Sequence, residues 1–133
     1  MVMRNLINEQ ITTERLILRV PSLNDLDDIF KNFTSEISTY MFPQPSSDPN
    51  FTKEFLLNSI RQLKAGENLQ LIITDKDSGE FLGCCGIHGL NKDVPEFGIW
   101  LKKTAHGKHL GLEAVKGMFN WAKSNLHHSE LKY

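Results

Sequence analysis

Two glycines stand four residues apart in a basic segment of this 133-residue sequence, AHGKHLGLEAV, residues 105–115. An apolar run with helical spacing follows at once, which predicts a loop that leads directly into a helix. The first N–H groups of a helix have no partner within it and carry partial positive charge, so a helix start binds anions readily. Gly107 and Gly111 would let the backbone come close to a diphosphate.

Basic side chains surround this loop in a chain whose formal net charge is only −1. They are Lys102, Lys103, His106, Lys108 and His109, and they predict a local positive potential. Neither a GK[ST] ending nor a G-x-G-x-x-G pattern occurs, so ATP and NAD are poor candidates. Spacing alone leaves two interpretations open: a phosphate-binding loop, or an ordinary glycine-containing loop with solvated lysines.

Two further side chains near this segment could move protons. Glu96 begins a predicted strand that leads to the loop, and a carboxylate there can act as a general base. The alternative for Glu96 is a solvated carboxylate at the end of a strand. His88 lies in the neighbouring predicted strand and could orient a group or relay a proton, or it could be a hydrogen-bonded structural histidine.

Several classes of site and location are disfavoured by composition. The histidines lack cysteine or carboxylate partners at metal-ligand spacing, so no metal site is expected. Cys84 and Cys85 are adjacent and would point to opposite faces of a strand, so we expect core packing in a reduced, cytoplasmic protein. The small net charge argues against nucleic acid or an anionic membrane as a partner, and no run reaches membrane-spanning length.

These residues must be positioned by elements that hydrophobic periodicity predicts. The predicted order is one strand, two helices, three strands in an antiparallel meander, and one helix. Ser22 is a predicted N-cap for the first helix, and Gly66 a predicted stop for the second. The predicted bounds are 15–20, 23–33, 49–65, 69–74, 81–90, 96–101 and 112–126, with a proline-rich loop at 40–50 and a turn at 91–93.

Four segments, in the same order, resemble the GNAT superfamily of acyl-CoA N-acyltransferases. They are TERLILR at 13–19, PSLNDLDDIF at 21–30, SGEFLGCCGIHGL at 78–90 and EFGIWLKKTAHGKHLGLEAV at 96–115. The most similar branch is that of the ribosomal-protein N-terminal alanine acetyltransferases, the RimJ/RimL-like enzymes. The resemblance implies a single α+β domain over 1–133, of the three-layer type, with a mostly antiparallel mixed sheet flanked by helices. It also implies acetyl transfer from acetyl-CoA to a primary amine.

The resemblance assigns roles to particular residues. Glu96 takes the place of the catalytic base, with His88 beside it. The backbone of Ile99, Trp100 and Leu101 is expected to pair with the pantetheine arm. Amides of the loop and helix start are expected to hold the pyrophosphate, and these belong to His106, Gly107, Lys108, His109, Leu110, Gly111 and Leu112. His109 stands where the family motif has its first glycine. A Cβ there could crowd the pyrophosphate, so we expect adjusted or weakened binding. We do not expect lost binding, because a helix-start conformation needs no positive φ and the amide remains.

The family continues beyond the point where this sequence ends, at SELKY, residues 129–133. We therefore expect the C-terminal strand, helix and hairpin of the family, with its general acid, to be absent. A homodimer that completes the sheet stays open, as does a truncated, non-catalytic module that binds CoA or a protein partner. The acceptor is a small-molecule or peptide amine, and the sequence does not choose among the amines that the superfamily accepts.

Overall fold

The computed structural model describes residues 5–32, 49–90 and 96–125. Five strands form one sheet whose spatial order follows the chain, and all four pairings are antiparallel. The strands are β1 Gln10–Thr12, β2 Leu16–Arg19, β3 Leu69–Asp75, β4 Phe81–His88 and β5 Glu96–Leu101. The α-helices are α1 Leu26–Asn32, α2 Pro49–Ala65 and α3 Leu110–Asn125, with single 3-10 turns at Leu23–Asp25 and Lys103–Ala105.

Helices cover both faces of the sheet, which gives three layers. On β3, Leu71 and Ile73 face the larger core, where they join Ala114 and Met118 of α3. Ile72 points to the other face and packs with residues of α1 and α2 in a second cluster. This alternation is what a strand buried on both faces requires. The expected α+β three-layer fold is confirmed, and the described sheet is antiparallel throughout.

The first helical segment begins at the predicted cap. Ser22 accepts a hydrogen bond from the Asn24 N–H at 3.2 Å, and Asp25 accepts one from the Ser22 N–H at 2.8 Å. Arg19 of β2 binds the same carboxylate, with Nη2 at 2.7 Å from Oδ1 of Asp25. Asp25 can therefore be almost fully buried, at 3% exposure, because its charge is paired and hydrogen-bonded.

Glycines set the ends of two predicted elements. Gly66, at φ 73°, directly follows the last residue of α2, as predicted. Gly89, at φ 72°, ends β4 at His88, two residues earlier than predicted, and its N–H donates to Oδ1 of Asn68 at 2.8 Å. Strand β1 was not predicted at all. Its three residues are too few to show an alternating pattern.

The adjacent cysteines pack into the two cores. Cys84 belongs to the cluster beneath α1 and α2, and Cys85 to the cluster beneath α3. Neither is in a disulfide, and burial raises the pKa of both thiols. The prediction that they are core residues rather than nucleophiles is confirmed, because a protonated, buried thiol is inert.

Some predicted features lie outside the described residues. They are the proline-rich loop within 40–48, the turn at 91–93, and the end of the last helix at Leu126 with the segment after it. Within the described ranges, none of the helices has both the length and the apolar character needed to cross a membrane.

Candidate active site

The loop between β5 and α3 contains two residues with left-handed backbone. Gly107 has φ 77° and His109 has φ 61°. The carbonyl of His109 accepts the N–H of Glu113 at 3.2 Å, so His109 is the N-cap residue of α3. A left-handed conformation costs a non-glycine residue about 1–2 kcal/mol. The expectation that this position needs no positive φ is therefore wrong, because the chain reverses into α3 through His109 itself.

The backbone N–H groups of residues 107–112 have no acceptor among the described residues. The amides just before them differ, since Ala105 donates to Lys102 at 2.9 Å and His106 donates to Lys103 at 3.2 Å. Successive open amides with left-handed turns, at the start of a 16-residue helix, form the kind of backbone that binds anions. The structure thus brings together most of the predicted pyrophosphate-binding residues.

The basic side chains around the loop contribute less charge than their number suggests. Lys102 is bound to Glu80, with Nζ at 2.6 Å from Oε2. Nε2 of His106 lies 2.8 Å from the Leu101 carbonyl, so the ring carries a proton on Nε2 and acts as a donor. Lys108 and His109 are exposed beside the open amides. Recognition of an anion here would therefore rest mainly on the main chain.

The outer edge of β5 is open next to this loop. The Lys102 N–H donates to the Leu82 carbonyl at 2.8 Å, and bonded pairs alternate with non-bonded ones along an antiparallel ladder. Trp100 therefore bonds to β4, whereas the N–H and C=O of Ile99 point away from it. The sheet order ends at β5, so no strand of the described residues pairs with that edge. The backbone of Ile99 and the N–H of Leu101 thus face the open edge, whereas the Leu101 carbonyl is already engaged by His106. The expectation that Trp100 also pairs with an extended ligand is wrong, because its backbone bonds to β4.

The start of α3 lies against the same part of β5. A Cβ atom added to Gly111 would lie 3.6 Å from Cδ1 of Leu101 and 3.7 Å from Cδ1 of Ile99. Those are ordinary van der Waals distances, so alanine would also fit at this position. The open amides and the open strand edge therefore lie next to each other.

Glu96 and His88 face each other across β4 and β5. Directly opposed residues share a face of the sheet, and here it is the face covered by α1 and α2, opposite to α3. A Cβ added to Gly98 would lie 3.6 Å from Nε2 of His88, so the imidazole ring leans over Gly98. The two predicted proton-handling residues are brought together.

His88 is exposed by surface area, yet protein atoms crowd its ring. This partial loss of water lowers the pKa of His88 below its ordinary value, and the negative charge of Glu96 opposes that shift. His88 is therefore a neutral imidazole at pH 7. Glu96 itself is exposed at the start of β5. A strand rises about 3.4 Å per residue, which places Glu96 roughly 10 Å from Ile99.

A family model described as "Acetyltransferase (GNAT) domain" matches residues 15–133. The chain belongs to this family. Its members are acyltransferases that use acyl-CoA.

Relatives and solved structures agree with this assignment. The uncharacterized N-acetyltransferase p20 of Bacillus licheniformis is 27% identical over 122 residues, which is 89% of this chain and 68% of that protein. A Vibrio cholerae protein, provisionally described as a ribosomal-protein-serine acetyltransferase, matches with a TM-score of 0.79 at 15% identity, over 94% of this chain and 72% of its own. RimL, a ribosomal alpha-N-protein acetyltransferase solved with coenzyme A, matches with a TM-score of 0.73 at 14% identity, over 86% and 67%. The GNAT fold is thus confirmed.

Sequence reasoning missed one group of residues at this GNAT site. Thr13, Arg15 and Glu113 are joined by hydrogen bonds, and Arg15 also reaches the loop. Both Arg15 and Glu113 lie in segments that carry the family resemblance. Nothing in their local spacing links residues 98 positions apart, so no single-sequence signal could have paired them.

Proposed function

We propose that this GNAT chain transfers an acetyl group from acetyl-CoA to a primary amine. The observation that carries the proposal is the junction of the open amides at 107–112 with the outward-facing backbone of Ile99. A diphosphate requires several amide donors at one place, and a pantetheine arm with its own amides requires a strand edge. Both requirements meet here, and the coenzyme A bound to RimL supports the same ligand class.

The chemistry would proceed by direct attack. The amine nitrogen attacks the thioester carbonyl carbon, the new C–N bond forms, and the C–S bond breaks. The leaving sulfur becomes the thiolate of coenzyme A and takes a proton from water. The nitrogen attacks only as the neutral amine, so the Glu96 carboxylate first takes the ammonium proton, directly or through water, and the neutral His88 ring orients that exchange. After attack the nitrogen loses its second proton to water, and Glu96 releases its proton to solvent. The Ile99 N–H polarises the carbonyl oxygen, so positioning and electrostatics supply the catalysis without a covalent enzyme intermediate.

Replacement of the base tests this mechanism. We expect Glu96→Gln to lower kcat/KM by about 10²–10⁴, because general-base catalysis contributes that much. Affinity for coenzyme A should stay unchanged, since Glu96 lies on the opposite face of the sheet from α3. Initial rates would be measured against a panel containing a peptide N-terminus, a polyamine, an aminoglycoside and an amino acid, with affinity measured by calorimetry. The exposed Glu54 on α2 supplies a matched control, Glu54→Gln.

Two results would count against the proposal. Unchanged turnover in Glu96→Gln would eliminate Glu96 as the base. No binding of acetyl-CoA at millimolar concentration would remove acetyl-CoA as the donor.

A second candidate is a GNAT module that binds coenzyme A without catalysis. The exposure of Glu96 favours it, because water competes with a substrate amine for an unshielded carboxylate. Calorimetric binding of coenzyme A, combined with no transfer to any amine in the panel, would select this candidate over the first.

A further inference from the structure

We propose that Arg15, together with Glu113, is a positioning residue that holds loop 107–112 in the conformation that binds the diphosphate of the acyl donor. Nη1 of Arg15 donates to the Lys108 carbonyl at 3.1 Å, and Nε donates to Oε1 of Glu113 at 2.7 Å. One guanidinium therefore joins the loop to the first turn of α3. The inference rests on the proposed function for the identity of the ligand, but the loop conformation can be measured without any ligand.

The contact to Lys108 fixes the direction of an amide in the site. In a planar trans peptide the carbonyl and the next N–H point in opposite directions. Because Arg15 holds the Lys108 carbonyl on its own side, the N–H of His109 is turned away from Arg15 and stays open. The same bond helps to keep His109 at φ 61°, a conformation that a histidine would otherwise leave.

The carboxylate of Glu113 is occupied by groups outside the helix. Oε2 accepts from the Thr13 hydroxyl and from the Arg15 N–H at 2.8 Å, while Oε1 accepts from the Arg15 side chain. A glutamate in the first turn of a helix often bonds back to the helix amides. Here Glu113 is held on the β1–β2 turn instead, and the amides of 107–112 remain available to an external anion.

The pair also controls charge at the site. The Glu113 side chain is 16% exposed and the Arg15 side chain 48%, so they form a partly buried ion pair. Burial by itself would raise the pKa of Glu113, but the hydrogen bonds from Thr13 and Arg15 outweigh it and lower that pKa. Glu113 is therefore charged at neutral pH. Without Arg15, that charge would lie unpaired beside the site and repel a diphosphate.

The turn that carries Arg15 is itself anchored to the sheet. Its backbone carbonyl accepts the N–H of Lys76 at 2.9 Å, and the Thr13 N–H donates to the Leu16 carbonyl at 2.9 Å. The loop is thus attached to a turn that is itself hydrogen-bonded to the sheet. This attachment is what positioning requires.

We call the contacts of Arg15 with the Lys108 carbonyl and with Glu113 the clamp. The order of loop 107–112 and the affinity for coenzyme A together test it. Arg15→Lys keeps the charge but cannot reach Glu113 and the Lys108 carbonyl with one planar fork. We expect a roughly tenfold rise in Kd for coenzyme A, the loss of about one charge-assisted hydrogen bond, with kcat unchanged at saturating acetyl-CoA. In the ligand-free protein, NMR order parameters of the Gly107 and His109 amides should fall from rigid values of about 0.85 toward about 0.6.

A double variant separates the effect of the Glu113 charge on coenzyme A binding from the support that Arg15 gives to the loop. Arg15→Met leaves Glu113 unpaired and should weaken coenzyme A binding more than Glu113→Gln does. The double variant Arg15→Met/Glu113→Gln removes the uncompensated charge and should bind more tightly than Arg15→Met alone. A residue that only stabilises the fold would not produce that recovery.

Arg19→Lys is the matched control, because Arg19 forms a similar pair with Asp25 on another part of the sheet. It should lower thermal stability while Kd and the loop order parameters stay at wild-type values. If Arg15→Lys behaves like Arg19→Lys, the clamp is overturned. If wild-type protein does not bind coenzyme A, the proposed function fails, and unchanged order parameters in Arg15→Lys would still overturn the clamp separately.

Discussion

His109 combines an unfavourable backbone conformation with a place in the centre of loop 107–112, the proposed diphosphate site. Its φ of 61° is one that glycine adopts freely and a histidine does not. The family motif that this segment resembles has glycine at this position. This chain adopts the left-handed conformation without a glycine, and the contacts of the loop, including Arg15 to Lys108, must hold it.

We expect His109→Gly to raise the free energy of unfolding by up to about 1 kcal/mol. Relief of the left-handed strain contributes about 1–2 kcal/mol, and the greater freedom of glycine in the unfolded chain offsets part of it. Coenzyme A should bind at least as tightly, because the open amide remains and the side chain no longer crowds a phosphate. Urea denaturation and calorimetry would measure the two effects.

Lys108→Gly is the control for His109→Gly. Lys108 does not have a positive φ, so glycine there should lower stability rather than raise it. Equal destabilisation by the two substitutions would show that His109 is unstrained.

At the scale of the elements, β4 and β5 meet at two directly opposed glycines whose surroundings differ. A Cβ on Gly86 would lie 2.6 Å from the Leu69 carbonyl oxygen and 2.4 Å from Oε1 of Gln70. A Cβ on Gly98 would meet only the His88 ring, at 3.6 Å and beyond. Gly86 is therefore required by the close approach of β3, whereas Gly98 keeps space open beside His88 and Glu96.

Substitution by alanine should affect stability at Gly86 and binding of the amine at Gly98. Gly86→Ala should lower the free energy of unfolding by about 1–3 kcal/mol, because the backbone of β3 must move. Gly98→Ala should change stability by less than about 0.5 kcal/mol but raise KM for the amine, since the methyl group enters the space beside Glu96. Thermal unfolding and acceptor kinetics on both variants would measure this. Wild-type kinetics in Gly98→Ala would place the acceptor elsewhere.

The sequence predicted the helices and strands better than it predicted the contacts between them. Apolar runs separated by polar turns predicted the meander of β3, β4 and β5. Helical spacing predicted α1 and α3, and Gly66 predicted the end of α2. The anion loop was predicted because its residues are contiguous. The left-handed backbone of His109 was not, since it arises from how α3 docks on the sheet. The pairing of Arg15 with Glu113 depends on tertiary structure across 98 residues, which no local pattern encodes.

At the scale of the whole molecule, His88, which lies beside Glu96, makes the free energy of unfolding depend on pH. The pKa of His88 is lowered in the folded protein, so the folded state binds this proton less readily than the unfolded state does. The stability that follows from this difference is fully present above about pH 6.5, the ordinary pKa of histidine, and is lost as the pH falls through the lowered value.

Two variants check this pH dependence. His88→Gln should flatten the decline in unfolding free energy below pH 6.5, measured by urea denaturation across pH. Glu96→Gln should move the His88 titration, followed by NMR of its ring protons, to still lower pH, because the carboxylate raises that pKa. A titration that does not move would mean that the two side chains are uncoupled.

Each strand of the sheet lies beside the strand that precedes it in the chain, so the sheet can be assembled in the order of synthesis. The bonds from Thr13 and Arg15 to Glu113 close loops of about 100 residues, and loop closure grows costlier with length. These contacts can form only after α3 has left the ribosome. A nascent chain would therefore contain a paired β-meander before the proposed cofactor site is complete.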